Sequence, residues 1–564
     1  MEKRTEEEKI REKFKEPCDT YYSIFVSKDI GYKYRNLSPF EFKNILIRLA
    51  QKRAAKGKEI INAGRGNPNF YSTMPRYAFS LITLISTYIG TEDTTGLIEG
   101  DMIQDLKFMP EEKGIARKFY SELQLYRQTH TGKFLYEAIE TMKRISGLSP
   151  DKLIHQLVIS TIGCFYPSPP RIQPFVEPVL AEFLSKTIYN IPNLKKNAKI
   201  FLTEGASAAI IYIFNSLKYN SLVVKGDTIG ILTPIFSPYL EIPELQNYKL
   251  KQVCITADPN DEWEITDREL EKIANHEMKA LFLCNPTNPT ALSLSKRTVR
   301  KIKNIVRTKN RNLIILSDNV YAPFVGQFNS LLKALPYNTI GVYSFSKYFG
   351  VTGWRLGSVV LHNRNVIDDV LLKSVPESVN KRYIMVSDTP QNIPFIERLV
   401  LDSRQVAEGH TAGLSTPQQV IMTLFAMHDY MDKKKQYNKT IKKLLSYRMS
   451  LLLDPLEYKI RESDMNSNYY IVIDLIKAST IITKDAKFGE YLYKHRDPLE
   501  FLMLLAKRYS IVLLPGVGFA GPFWSIRVSL ANLPSHQYEY IGYSVKLLVE
   551  EYYKQYKQKK RSRN

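Results

Sequence analysis

The stretch SFSKYFGVTGWRLG runs from Ser344 to Gly357 and holds a single lysine, Lys347, with Arg355 eight positions later. A short apolar run, Ile340 to Tyr343, leads into it, and glycines punctuate it. A solvated turn would account for an arbitrary lysine in such a loop. A lysine that forms a Schiff base, with the arginine holding a cofactor's anion, would account for the pairing as well. Other loops that follow apolar runs bear on the choice.

TEGASAAI places Gly205, Ala206 and Ser207 where a strand meets a helix. Small residues there let backbone N–H groups approach an anion, although an ordinary small-residue turn reads the same way. In TPIFSPY, Phe236 could lie over a flat heterocycle and Tyr239 could add a hydroxyl. NPTNPT forms a rigid turn that could aim Asn288 at a ring oxygen, and turn chemistry alone explains it equally. In LIILSDNVYAPF an aspartate directly follows an apolar run, a costly place for an unpartnered charge. Asp318 could keep a pyridine nitrogen protonated, with Tyr321 on the ring's phenolic oxygen; a helix N-cap is the plain alternative for Asp318. Together with Ser344, Lys347 and Arg355, these loops ask for a pyridine ring bearing a phosphate arm and an aldehyde, which is pyridoxal 5′-phosphate.

The order and types of these residues resemble the fold-type I pyridoxal-phosphate enzymes of the aspartate aminotransferase superfamily. The resemblance spans roughly residues 36–550. It implies an α/β fold, a mainly parallel seven-stranded sheet flanked by helices, with a smaller α+β domain built from both chain ends. It implies that Lys347 binds the cofactor's aldehyde and later shuttles protons. Gly205, Ala206, Ser207, Ser344 and Arg355 would hold the phosphate, Phe236 would stack on the ring, and Asp318 would pair with its nitrogen. Asn288 and Tyr321 would meet its 3′ oxygen, and Arg527, in the C-terminal stretch SIRVSLANL, would clamp a substrate α-carboxylate. Ala291 stands where many aminotransferases have glycine.

Four further segments, NLSPFEFK, NAGRGNPNF, GCFYPSPPR and SIRVSLANLP, are similar to the aspartate β-decarboxylase branch of that superfamily. This implies conversion of L-aspartate to alanine and CO2, with transamination to a 2-oxo acid as a side reaction. Arg65, flanked by Gly64 and Gly66, would meet the β-carboxylate. Lys43 would sit in a mobile N-terminal segment, and Tyr166 would reach a neighbouring subunit's phosphate. The resemblance further implies a homo-oligomer, at least a dimer with shared active sites, and a larger assembly. A plain aspartate or aromatic aminotransferase stays open, as does a catalytically silent binding protein of the same fold.

The rest of the chain must position these groups. It has 564 residues, 44% hydrophobic and 24% charged, with a formal net charge of +22. That suits a large globular protein of several domains. The basic excess reads as solvated faces and a frayed end (KQKKRSRN), since no ordered basic and aromatic array suggests a nucleic-acid module. Cys18, Cys164, Cys254 and Cys284 form no CxxC and no disulfide framework. His276-Glu277 lacks the second histidine of a zinc helix, so no metal is expected. No apolar run is long enough for a bilayer, and the charged N-terminus is no signal peptide, so the cytoplasm is expected. Gly516, Gly518 and Gly521 match a dinucleotide pattern but lead into a strand, which argues against it.

The expected organisation is an arm over residues 1–35, and the N-terminal part of the small domain with a helical insertion over 36–194. A large cofactor-binding domain follows over 195–395, then a C-terminal small domain over 396–555 and a basic tail over 556–564. The runs AKIFLT, TIGILT, ALFLC, LIILSD, TIGVYS and LGSVVLH alternate with amphipathic stretches, the α/β rhythm.

Overall fold

The computed structural model describes residues 37–54, 57, 59–92, 98–99, 102–103, 110–374, 376–404 and 413–561. The arm over 1–35 and the final residues 562–564 lie outside them.

Eight strands make the central sheet: β1 (Ala198–Thr203), β2 (Thr228–Thr233), β3 (Lys251–Asp258), β4 (Glu264–Ile265), β5 (Met278–Cys284), β6 (Ile314–Asp318), β7 (Thr339–Ser344) and β8 (Gly357–His362). Their spatial order is β1-β8-β7-β6-β5-β2-β3-β4. The run from β7 through β6, β5 and β2 to β3 is parallel. β8 is antiparallel to both of its neighbours, and β4 is antiparallel to β3. The inner strands are nearly continuous buried apolar runs, as a sheet covered on both faces demands. The expected seven strands therefore gain an eighth, the two-residue β4. β3 was not among the sequence-predicted strands, because KQVCITAD mixes polar and apolar residues and is only partly buried.

Register brings the functional loops together. Cys284 pairs with Asp318 across β5 and β6. Ser344 pairs with Gly357, which in turn pairs with Thr203. The loops after β1, β7 and before β8 thus share one edge of the sheet, where ligands of open α/β sheets gather. Gly357 must be glycine for this: a Cβ there would lie 2.6 Å from the carbonyl carbon of Gly205.

A second, three-stranded antiparallel sheet contains β9 (Tyr470–Asp474), β10 (Leu514–Pro515) and β11 (Ser525–Ser529), in the order β9-β11-β10. Residues near the N-terminus join this unit. Ile61–Asn62 pairs parallel with Ile511–Val512, and Ser529 N–H donates to the Ala63 carbonyl at 2.9 Å. This threads Gly64, Arg65 and Gly66 alongside β11. The helix Pro39–Ala54 opens with a capping box: Ser38 N–H donates to Glu41 at 2.8 Å and Glu41 N–H donates to the Ser38 hydroxyl at 3.3 Å. Its start sits tightly on the glycine stretch, since a Cβ on Gly518 would overlap Pro39.

The region before β1 is helical, with Met74–Glu92, Ile115–Gln124, His130–Ser146, Pro150–Ile162 and Val176–Phe183. Some of the basic residues lie on paired helical faces. On Lys296–Thr308, Ile302, Ile305 and Val306 are buried while Arg297 and Lys301 pair with Asp267. The last helix, Ser535–Arg561, corrects the expected frayed tail, because Lys557 to Arg561 continue it. Gly516–Phe519 is a short 3-10 turn followed by β11, so no helix N-terminus follows the glycines. Cys164 and Cys284 are free thiols. Among the described residues no helix is long and apolar enough to cross a membrane, and no metal-ligating cluster occurs.

Candidate active site

Lys347 follows β7, and its Nζ donates to the Gly66 carbonyl at 3.1 Å. Tyr469 donates its phenol to the same oxygen at 2.8 Å. Burial, reinforced by the nearby positive charges of Arg527 and Arg355, lowers the Lys347 amine to about 8. Such an amine is partly neutral near physiological pH, as a nucleophile requires.

Asp318 ends β6 and is 3% exposed. Its carboxylate accepts from the Tyr239 phenol at 2.7 Å and from Val320 N–H at 3.1 Å. Burial raises its carboxyl to about 6. The next helical turn, Ala322–Phe324, begins beyond it with Tyr321 as its first flanking residue, so Asp318 is not that turn's N-cap. Tyr239 was expected to offer its hydroxyl to the cofactor. It is instead spent on Asp318, and its ring packs on Phe282 at 4.6 Å.

The raised Asp318 carboxyl has a measurable consequence. Between about pH 4 and pH 6 the folded chain binds more protons at Asp318 than the unfolded chain does, so stability falls as pH rises through that window. The rise from 3.8 to about 6 corresponds to about 3 kcal/mol. In cofactor-free protein, Asp318→Asn should therefore gain stability over wild type as pH climbs from 4 to 7, by up to about 3 kcal/mol relative to pH 4. Unfolding measured across that range checks it; a constant difference would contradict it.

Arg527, on β11, is 1% exposed. Its Nη1 donates to Asn288 Oδ1 at 3.1 Å and its Nη2 to the Gly64 carbonyl at 2.8 Å. The guanidinium lies over the rings of Tyr470 and Phe519, 4.5 Å from each ring centre. Its Nε is buried with no hydrogen-bond partner. Among the described residues no carboxylate pairs with it. A buried cation left this way is costly until an anion arrives.

The helix Ala206–Tyr219 starts at Gly205, whose φ is 95° and which offers no side-chain cap. A Cβ on Gly205 would lie 2.7 Å from Arg355 Nη2. An exposed helix N-terminus and an arginine therefore flank the same small space, a fit for a phosphate. Ser207 is exposed. Ser344 is buried, its hydroxyl set against the Leu356 carbonyl at 3.2 Å and Ser346 at 3.0 Å. Phe236 is half-buried, edge-on to Phe40 at 5.8 Å and Tyr239 at 5.2 Å. Tyr321 is buried, and its phenol donates to Tyr470 at 3.1 Å.

Arg65 is exposed, with no hydrogen bond or ion pair among the described residues. Lys43 sits over the Phe40 ring at 5.4 Å, and burial together with Arg65 and Arg527 lowers its amine. Tyr166 is 84% exposed and makes no hydrogen bond to this cluster. The structure thus gathers the glycine loop, Asp318, Lys347, Arg355 and Arg527 with Lys43 and Arg65, and leaves Tyr166 on the surface. Sequence reasoning missed Tyr469, Tyr470, Phe519 and Phe40. The adjacent aromatics opening the run YYIVID were the available signal for the first two.

A family model, class I and II aminotransferases, matches residues 164–542. The chain belongs to the class I and II aminotransferase family. Across 93% of its length this aminotransferase-family chain is 38% identical to the bifunctional aspartate aminotransferase and L-aspartate beta-decarboxylase of a Pseudomonas species, covering 97% of that protein. It is 32% identical to an aspartate aminotransferase of Sulfolobus acidocaldarius, over 33% of this chain and 45% of the other. Among solved structures, the aromatic aminotransferase of Pyrococcus horikoshii aligns with a TM-score of 0.53 at 19% identity, over 89% of this chain and 99% of the other. The aspartate aminotransferase of Thermus thermophilus aligns with a TM-score of 0.53 at 15% identity, over 90% and 96%. These structural likenesses establish the fold-type I architecture. The family's cofactor is pyridoxal phosphate. The low-pKa Lys347, the open helix start beside Arg355, the buried Asp318 carboxylate and the Arg527 guanidinium are groups of the right chemistry for it.

Proposed function

We propose that the chain is a pyridoxal-phosphate-dependent aspartate 4-decarboxylase that converts L-aspartate to L-alanine and CO2 and transaminates as a side reaction. The observation that carries this reading is the convergence of Lys43, Arg65 and Arg527, with no carboxylate pairing with them among the described residues. A site so charged suits a dicarboxylate substrate. The near full-length similarity to a bifunctional aspartate enzyme supports it.

In this reading Lys347 holds the cofactor, Gly205, Ala206, Ser207 and Arg355 cradle its phosphate, with Ser344 behind them, and Phe236 covers the ring. Asp318, itself oriented by Tyr239, faces the ring nitrogen, while Asn288 and Tyr321 face the ring oxygen. When bound, pyridoxal phosphate supplies an aldehyde for the substrate's amine and a cationic ring that takes up electron pairs. As a carboxylate, Asp318 would keep that positive charge favourable. Arg527 grips the α-carboxylate with its planar fork. Lys347 Nζ takes the proton from Cα. The bond between Cβ and the side-chain carboxylate then breaks, CO2 leaves, Cβ takes up a proton and Lys347 Nζ returns a proton to Cα, so one aspartate and one proton give one alanine and one CO2. The assembly in this reading is at least a dimer, in which the exposed Tyr166 reaches the phosphate of a second copy.

Arg65 separates decarboxylation from plain transamination. A fixed grip on the β-carboxylate would stabilise the ground state and be lost as neutral CO2 forms. Arg65 therefore selects the β-carboxylate and turns the breaking bond perpendicular to the electron-accepting plane, or shifts during the cycle. Arg65→Ile should depress alanine formation from L-aspartate more than it depresses the slow transamination half-reaction. The ratio of the two rates in wild type and variant is the measurement, and an unchanged ratio contradicts this role.

A further inference from the structure

Tyr470 opens β9 and is 3% exposed. It belongs to no role assigned above, yet it touches both halves of the site. Val472 pairs with Arg527 and Tyr470 with Ser529, so Tyr470 and Arg527 are diagonal neighbours on one face of the small sheet. The Tyr470 ring lies 4.5 Å from the Arg527 guanidinium. Its phenol oxygen accepts from Tyr321 at 3.1 Å. A Cβ on Gly66 would meet that oxygen at 2.6 Å and Lys347 Nζ at 3.4 Å, so the phenol and the amine border the same small space.

We propose that Tyr470 is a positioning residue that couples the cofactor's ring-oxygen partner to the carboxylate clamp: its hydroxyl backs Tyr321 and its ring holds the Arg527 guanidinium flat. The proposal rests on the reading above, in which Tyr321 faces the ring oxygen. Tyr321 has one hydrogen. Once it donates to an anionic ring oxygen, a stronger acceptor than a neutral phenol, it no longer donates to Tyr470. Tyr470 then turns its own hydrogen toward the Tyr321 oxygen. A donor whose oxygen also accepts a hydrogen bond is the better donor. The ionisable groups around Tyr321 are Tyr469, Tyr470 and Cys284, all neutral through burial, and the Arg527 guanidinium; Tyr470→Phe leaves their charges unchanged. The charged groups facing Lys347, namely Arg527, Arg355 and Asp318, are likewise retained.

The test is a pH titration of the visible absorption of the cofactor-loaded enzyme, without substrate. Weakening donation to the anionic ring oxygen leaves more negative charge beside the protonated cofactor–lysine linkage. Tyr470→Phe should therefore move the transition to higher pH, and Tyr321→Phe should move it further in the same direction. The double variant should match Tyr321→Phe alone, because the hydroxyl acts only through Tyr321. Tyr470→Phe keeps the ring and should leave KM for L-aspartate near wild type, whereas Tyr470→Leu should raise it several-fold. A Tyr470→Phe transition at the wild-type pH, additive shifts in the double variant, or an unchanged KM in Tyr470→Leu would each overturn the proposal. Absence of the absorption band in wild type, or a Tyr321→Phe transition that does not move, would instead overturn the underlying cofactor reading.

Discussion

Lys347→Ala should retain no covalently held cofactor: borohydride should fix none to the chain, and aspartate turnover should fall by several orders of magnitude. Positioned general acid–base transfer alone contributes roughly 10²–10⁴, and the variant also loses the covalent link. The substitution leaves the surrounding frame intact, because the Gly66 carbonyl keeps the Tyr469 phenol at 2.8 Å when the Lys347 bond at 3.1 Å is removed. Turnover near the wild-type rate would remove Lys347 from the chemistry.

Arg527→Lys should mainly weaken substrate binding. The arginine donates through Nη1 and Nη2 to fixed acceptors while two rings pack against it. An ammonium keeps the charge but not the fork. Losing one charge-assisted hydrogen bond of about 1.5–3 kcal/mol should raise KM for L-aspartate by roughly 10- to 100-fold. The change in kcat should be smaller. An unchanged KM would place the α-carboxylate elsewhere.

These two residues illustrate what a sequence can disclose. Lys347 and Arg355 lie eight positions apart in one glycine-marked loop, so local pattern alone exposes them. Asp318 is legible because a carboxylate ending a buried strand needs a partner. Each parallel strand announces itself by a continuous apolar run, and the sheet follows. β3, one strand in from the edge, does not, because only Ile255 and Ala257 among its side chains are buried. Tyr239 was legible as a site residue but not in its task, since its distance to Asp318 is set by packing across 79 positions. Tyr470 was hidden for the same reason, with its Tyr321 partner 149 positions away. Phe40 meets both Phe236 and Phe519 only because the N-terminal helix packs on the Gly516–Phe519 turn. A lone aromatic in a sequence carries no record of such contacts.

The central claim is that this site removes the side-chain carboxylate of L-aspartate. The most direct measurement supplies the cofactor-loaded enzyme with L-aspartate labelled at its side-chain carboxyl carbon, with no 2-oxo acid present. Continuous, equimolar release of unlabelled alanine and labelled CO2 is expected. Turnover that stops after about one equivalent per site and resumes only on adding a 2-oxo acid, with the label retained in the four-carbon product, would contradict it and leave a plain aminotransferase.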